Sequence, residues 1–135
     1  MKANATTQDY MTRDLVTFTP DMGIHDAIKA LLGAEVSGGP VLDDAGEIVG
    51  MLSIKDCLAI AFEASYHQEP GGKVAEFMSS DVETIEARTD IVEVADIFLK
   101  SRYRRFPVVE GGRLVGQISR YDVLKALGNL WSPNA

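Results

Sequence analysis

Two stretches of the chain carry apolar residues at helical spacing. Ile24, Ala27, Ile28, Leu31 and Leu32 fall at i, i+3, i+4, i+7 and i+8, and Ile91, Val94, Ala95, Phe98 and Leu99 repeat the pattern. That spacing predicts a helix with one buried face. Asp21 and Thr89 lie near the starts of these helices, where a side-chain oxygen can accept from free backbone N–H groups. Two short apolar runs follow each helix. The first pair is Pro40-Val41-Leu42 and Ile48 to Leu52, split by Asp43 to Gly46; the second is Pro107-Val108-Val109 and Leu114 to Ile118, split by Glu110-Gly111-Gly112. Each predicts a hairpin, with glycine supplying positive φ in the turn. A closing helix is predicted from Ile54 to Ser65 and from Arg120 to Gly128. Before each amphipathic helix stands a brief extended segment, Leu15 to Thr19 or Val82 to Glu86, and before that a helical turn ending at Met11 or Met78.

The same element order twice means a duplication. Asp9-Tyr10-Met11 aligns with Glu76-Phe77-Met78, Asp14-Leu15-Val16-Thr17 with Asp81-Val82-Glu83-Thr84, and Pro40-Val41 with Pro107-Val108, at a constant offset of 67. One deletion in the hairpin turn changes the offset to 66, which then pairs Gly50 with Gly116, Ser53 with Ser119, Asp56 with Asp122 and Leu58 with Leu124. The reading is a first repeat over 8–66, a linker over 67–73, a second repeat over 74–129 and a tail over 130–135. Neither repeat has enough strands for a self-sufficient sheet. Two copies packed sheet against sheet bury their shared apolar faces, so the pair is the expected folding unit.

Composition narrows the class. The 135 residues are 46% hydrophobic and 24% charged, as expected of a globular chain. A net charge of −7 disfavours nucleic acid or an anionic membrane as the main partner. Cys57 is the one cysteine, which rules out a disulfide within the chain. No apolar run approaches the ~20 residues of a membrane span. The polar stretch from Met1 to Thr7 lacks the apolar core of a signal peptide, and a cytoplasmic location is expected.

No catalytic constellation is visible, and no enzyme is expected. His25 and His67 are not echoed between the repeats and read as surface residues, and Cys57 reads as a small core residue. No spacing matches a zinc site, a calcium loop or a phosphate-binding loop. What is echoed is a strand running into Ser-x-x-Asp at a helix start: Ser53 with Asp56, and Ser119 with Asp122. One reading is a helix cap, the serine and aspartate satisfying backbone donors. The other is a ligand site, since free N–H groups there attract phosphate and the hydroxyl and carboxylate suit a ribose. The two are compatible. The second repeat also concentrates Arg102, Arg104 and Arg105, with Arg113 and Arg120 further on. Arginine forks suit phosphate oxygens; the plainer alternative is an exposed basic patch. The first repeat has Ser37, Gly38 and Gly39 in the equivalent stretch, so the two copies need not bind equally.

Together, the V-x-T segments, the Pro-Val hairpins ending in h-V-G and the Ser-x-x-Asp helix starts resemble two CBS domains, the repeat named after cystathionine β-synthase. The resemblance covers about 8–128. It implies an α/β fold of two tandem β-α-β-β-α repeats forming a pseudo-twofold pair, often called a Bateman module, which commonly dimerises. It implies a regulatory role, with AMP, ADP, ATP or S-adenosylmethionine bound in clefts between the repeats as regulatory ligand rather than required cofactor. Carried onto this sequence, Asp56 and Asp122 would hold ribose hydroxyls, and Ser53 and Ser119 would assist. Ser37, Gly38 and Gly39, or Arg104, Arg105 and Phe106, would line the base or phosphate region, and the strand threonines are Thr17 and Thr84. Glu83, where the first copy has Val16, departs from the pattern. The expected partners are a homodimer mate and a separate effector protein. The alternative is an assembly module that binds no small molecule.

Overall fold

The structure, a computed structural model, describes residues 5–67 and 71–131. Gln68, Glu69 and Pro70 of the expected linker, the His67 side chain and the tail residues 132–135 lie outside the described residues. In chain order the elements are α1 (Thr7–Tyr10), α2 (Ile24–Ala34), β1 (Gly38–Leu42), β2 (Ile48–Ser53), α3 (Ile54–His67), α4 (Val74–Phe77), β3 (Ile85–Glu86), α5 (Ile91–Lys100), β4 (Arg105–Glu110), β5 (Arg113–Ser119) and α6 (Arg120–Trp131). They form two compact units, the first Val16–Val82 and the second 5–15 together with 83–131. The spatial division is therefore staggered against the sequence repeat. Each unit takes the short helical turn that precedes the other repeat.

In the first unit β1 and β2 are antiparallel, with a register shift between Val41 and Leu42. Phe18 adds a parallel bridge to Val41 on one side, and Ser79 adds an antiparallel bridge to Met51 on the other. The second unit repeats this order. β3 pairs in parallel with β4, Ile85 opposite Val108. β4 pairs antiparallel with β5 and shifts register between Val108 and Val109. Thr12 then bridges Gln117 through hydrogen bonds of 2.8 and 2.9 Å. The opening strand of each repeat, expected over five residues, thus shrinks to a single bridge at Phe18 and to two residues at Ile85–Glu86. The hairpin turns use the glycines as expected, with φ of 84° at Gly46 and of 60° and 81° at Gly111 and Gly112.

The helices cover their sheets with the predicted stripes. Ile24, Ala27 and Leu31 are buried with Phe18, Val41 and Leu52 in the first unit; Ile91, Val94 and Phe98 are buried with Ile85, Val108 and Ile118 in the second. Leu32 and Leu99, the last residues of each stripe, are instead 64% and 86% exposed. At 3.6 residues per turn the i+8 position stands about 80° from the first, at the margin of the buried face. The caps also differ from expectation. Asp90, not Thr89, caps α5 by accepting from the Val92 N–H at 2.8 Å. Gly23 precedes α2 without a side-chain cap, and Asp21 instead pairs with Lys73 at 3.7 Å. Cys57 is buried in the first core, as expected. Trp131 ends α6 rather than belonging to a tail, and its side chain is 77% exposed.

Candidate functional site

Each hairpin delivers a serine to the start of a helix. β2 ends at Ser53 and α3 starts at Ile54; β5 ends at Ser119 and α6 starts at Arg120. Both Ser-x-x-Asp motifs close as reciprocal capping boxes. Ser53 Oγ accepts from the Asp56 N–H at 3.1 Å while Asp56 Oδ2 accepts from the Ser53 N–H at 3.0 Å. Ser119 Oγ accepts from the Asp122 N–H at 3.2 Å, and Asp122 Oδ2 from the Ser119 N–H at 2.9 Å. These bonds satisfy orphan donors at the helix start, so the capping role is present in full. The box uses one oxygen of each carboxylate and one lone pair of each hydroxyl. The other oxygen, Oδ1, and the serine proton make no hydrogen bond among the described residues. All four side chains are half-buried.

The ladder brings the start of the hairpin to the same place. Gly38 is opposite Ser53, and the Ser37 carbonyl accepts from the Ile54 N–H at 2.9 Å. In the second unit Arg105 is opposite Ser119, and the Arg104 carbonyl accepts from the Arg120 N–H at 3.2 Å. Each hairpin thus brings the stretch before its proline to the serine that ends its second strand. Arg104 and Arg120 are exposed and Arg105 half-buried, and among the described residues no carboxylate lies within ion-pair distance of any of the three. Arg102 instead stands over the Tyr103 ring, 5.9 Å from its centroid.

Not every expected residue joins these groups. Phe106 is 2% exposed, with its ring against Phe98 and Tyr103 at centroid distances of 4.9 and 5.6 Å, inside the second core. Gly39 is buried too; a Cβ there would run into the Val16 carbonyl oxygen and the Phe18 ring, so its backbone approach is to protein. Thr17 and Thr84 are exposed just before the bridging residues Phe18 and Ile85, and no hydrogen bond ties either to a Ser–Asp pair. Sequence reasoning passed over Tyr121, 75% exposed in the first turn of α6 between Arg120 and Asp122. An aromatic inside the repeated motif was the available signal, since an exposed ring there offers a stacking face.

The chain matches the CBS domain family model twice, over residues 8–63 and 74–129, and belongs to that family. It is similar to CBSX2, a CBS-pair protein of Arabidopsis thaliana, whose crystal structure superposes with a TM-score of 0.82 at 30% identity, covering 98% of this chain and 99% of that one. A crystal structure of CBSX2 in complex with AMP matches with a TM-score of 0.79 at 28% identity, covering 93% and 98% of the two chains. Among curated proteins, the chain is 26% identical over 97% of its length to an uncharacterized protein of Methanocaldococcus jannaschii, and 28% identical over 90% to the chloroplastic CBS domain-containing protein CBSX1 of Arabidopsis thaliana. It spans 46% and 63% of the lengths of those two relatives. The fold is thus mixed α/β with two tandem CBS repeats. Among the described residues no helix is long and apolar enough to cross a membrane, and no group of three or more His, Cys, Asp or Glu side chains is placed to hold a metal ion.

Proposed function

We propose that this chain is a regulatory module that binds an adenosine-containing ligand, AMP, ADP, ATP or S-adenosylmethionine, at its Ser–Asp helix starts and signals to a separate effector protein. The observation that carries the reading is the half-used capping box. Ser119 and Asp122 keep a hydroxyl proton and a carboxylate oxygen free beside Arg104, Arg105 and Arg120. Ser53 and Asp56 do the same beside Ser37 and Gly38. A carboxylate oxygen accepts from ribose hydroxyls, and a serine proton donates to a ribose or phosphate oxygen. The AMP complex of CBSX2 supports the ligand class. No catalytic step is assigned. A cytoplasmic location belongs to the same proposal.

The same proposal includes a homodimer. Leu32 and Leu58 in the first unit, and Leu99 and Leu124 in the second, are equivalent positions that are each more than 60% exposed. Leu58, Phe62 and Tyr66 follow i, i+4, i+8 along α3, all exposed. Apolar stripes of this kind are a cost in water that association removes. The complete capping boxes favour a second reading, an assembly module that binds no nucleotide. A thermal-shift screen with AMP, ADP, ATP and S-adenosylmethionine, with sedimentation in parallel, separates the two. A ligand at a hundred times its dissociation constant adds about 2.7 kcal/mol to stability. A shift of several degrees, lost in Asp122→Ala, supports the sensor. No shift with any of them, alongside a dimer, supports the assembly module.

A further inference from the structure

The closing helices of the two repeats are equivalent in sequence and unlike on their outer faces. On α3 the side chains of Leu58, Phe62 and Tyr66 follow one another along the exposed face. The Phe62 and Tyr66 rings meet edge to face, their centroids 5.2 Å apart, and form one raised aromatic block. At the repeat offset of 66, Leu58 and Phe62 become Leu124 and Gly128 on α6. Gly128 follows Leu124 by four residues and precedes Trp131 by three, so it lies on the face of these two exposed side chains. A Cβ built on Gly128 meets no described atom within 4 Å. A notch therefore stands on α6 where α3 carries a knob. Glycine inside a helix is unfavourable relative to alanine, and nothing within the second unit crowds this position, so packing inside the unit does not account for it.

A second copy of the chain can meet these faces in three pairings. With α3 on α3, two aromatic blocks confront each other and neither finds a recess. With α6 on α6, both notches stay empty, and unfilled space forfeits contacts. That pairing also gathers cations, since the exposed charged side chains of α6 are Arg120 and Lys125, whereas those of α3 are Lys55 and Glu63. Like charges at short range repel. With α3 on α6, the Phe62–Tyr66 block enters the gap between Leu124 and Trp131, and a face bearing Glu63 meets one bearing Lys125. Shape and charge both favour this third pairing.

We infer that the outer face of α3 in one copy of this chain seats on the outer face of α6 in a second copy, with Phe62 entering the notch at Gly128, so that the dimer pairs unlike repeats. In a pair related by a two-fold axis the contact occurs twice. The inference rests on the homodimer reading above and adds which faces meet. The test is cross-linking that leaves knob and notch intact. Glu63→Cys and Lys125→Cys are made separately in a Cys57→Ala background whose sedimentation is first matched to wild type. Each is treated with a short bismaleimide, alone and after mixing at a dilution that lets subunits exchange. Linked dimers should form in the mixture and in neither variant alone. Gly128→Phe supplies an independent measurement. It fills the notch without crowding its own unit, so its circular dichroism should match wild type. Its dimer dissociation constant should rise by about tenfold or more, the effect of displacing an aromatic anchor. Three results overturn the inference and leave the homodimer standing: self-linking of either variant in place of the mixed product, no linking in a protein that sediments as a dimer, or a dimer indifferent to Gly128→Phe. A wild-type chain that sediments as a monomer at every concentration reached overturns both.

Discussion

The Phe18 ring lies against the backbone of Gly39, its Cε2 3.1 Å from where a Gly39 Cβ would stand. In the second unit the equivalent positions hold Ile85 and Phe106, both buried. The larger side chain stands on the bridging segment in one copy and on β4 in the other. The Val16 carbonyl oxygen also blocks a Gly39 side chain, and a backbone atom cannot rotate aside. Gly39→Ala should therefore destabilise by about 1–3 kcal/mol, the usual cost of overpacking, seen as a lower urea midpoint with an unchanged slope.

Phe106 is the sharper case, because the family resemblance placed it near the ligand and the structure places its ring in the core. Phe106→Ala should cost about 3–5 kcal/mol, a large share of a typical domain's stability. Phe106→Leu should cost much less and keep whatever ligand response the wild type shows in a thermal-shift assay. A leucine variant of normal stability that has lost the response would instead return the ring to the site.

Much of this was legible in the sequence, for reasons that can be named. Long amphipathic patterns such as Ile24 to Leu32 report a buried face directly, and a repeat read twice fixes the hairpins around Gly46 and Gly111. The Ser–Asp pairs were visible because a capping box is local in sequence. Arg105 opposite Ser119 was not, since strand register brings together residues that no local pattern links. The staggered units were hidden for the same reason. Met11 and Met78 look alike in sequence, and nothing local says that each lies on the sheet of the other repeat. The burial of the Phe106 ring was not legible either, because one residue of strand register decides whether a side chain faces core or surface.

The capping boxes separate two losses that a single variant would mix. Ser119→Ala removes the acceptor for the Asp122 N–H and should cost about 0.5–2 kcal/mol. Asp122→Ala removes the acceptor for the Ser119 N–H and a favourable first-turn charge, about 0.3–1 kcal/mol. Asp122→Asn keeps an acceptor oxygen and should lie closer to wild type in thermal unfolding. If the aspartate serves only as a cap, the ligand response in Asp122→Asn should match that of wild type. If its free oxygen holds a ribose, the response should weaken although the fold is intact.

Gly116 and Gly50 mark where the helical turns dock. A Cβ on Gly116 would stand 2.7 Å from both the Met11 sulfur and the Thr12 carbonyl oxygen; one on Gly50 would meet the Met78 sulfur and the Ser79 carbonyl oxygen. Gly116→Ala should lower the melting temperature, by an amount equivalent to about 1–3 kcal/mol. Adding Met11→Ala should recover only part of that loss, because the sulfur can be removed and the backbone oxygen cannot. Full recovery would mean that Thr12 is not held to Gln117 as the bridge describes.

Cys57 links burial to alkaline stability. The thiol is 5% exposed, and its pKa is raised above the ordinary value, first by burial and second by the charge of the adjacent Asp56. The folded state therefore holds this proton to a higher pH than the unfolded chain does. Above the ordinary thiol pKa, about 8.5, the unfolded chain has given up the proton while the folded chain keeps it, so stability falls as pH rises through that range until the folded pKa is passed. The measurement is a comparison with a variant that lacks the thiol. Urea midpoints from pH 7 to pH 10 should fall more steeply for wild type than for Cys57→Ala. Iodoacetamide should label the native protein slowly and the urea-unfolded chain quickly, read by mass spectrometry, since the thiolate is the reactive form. Parallel pH slopes in the two proteins, or rapid labelling of the native state, would show that the thiol is neither buried nor shifted.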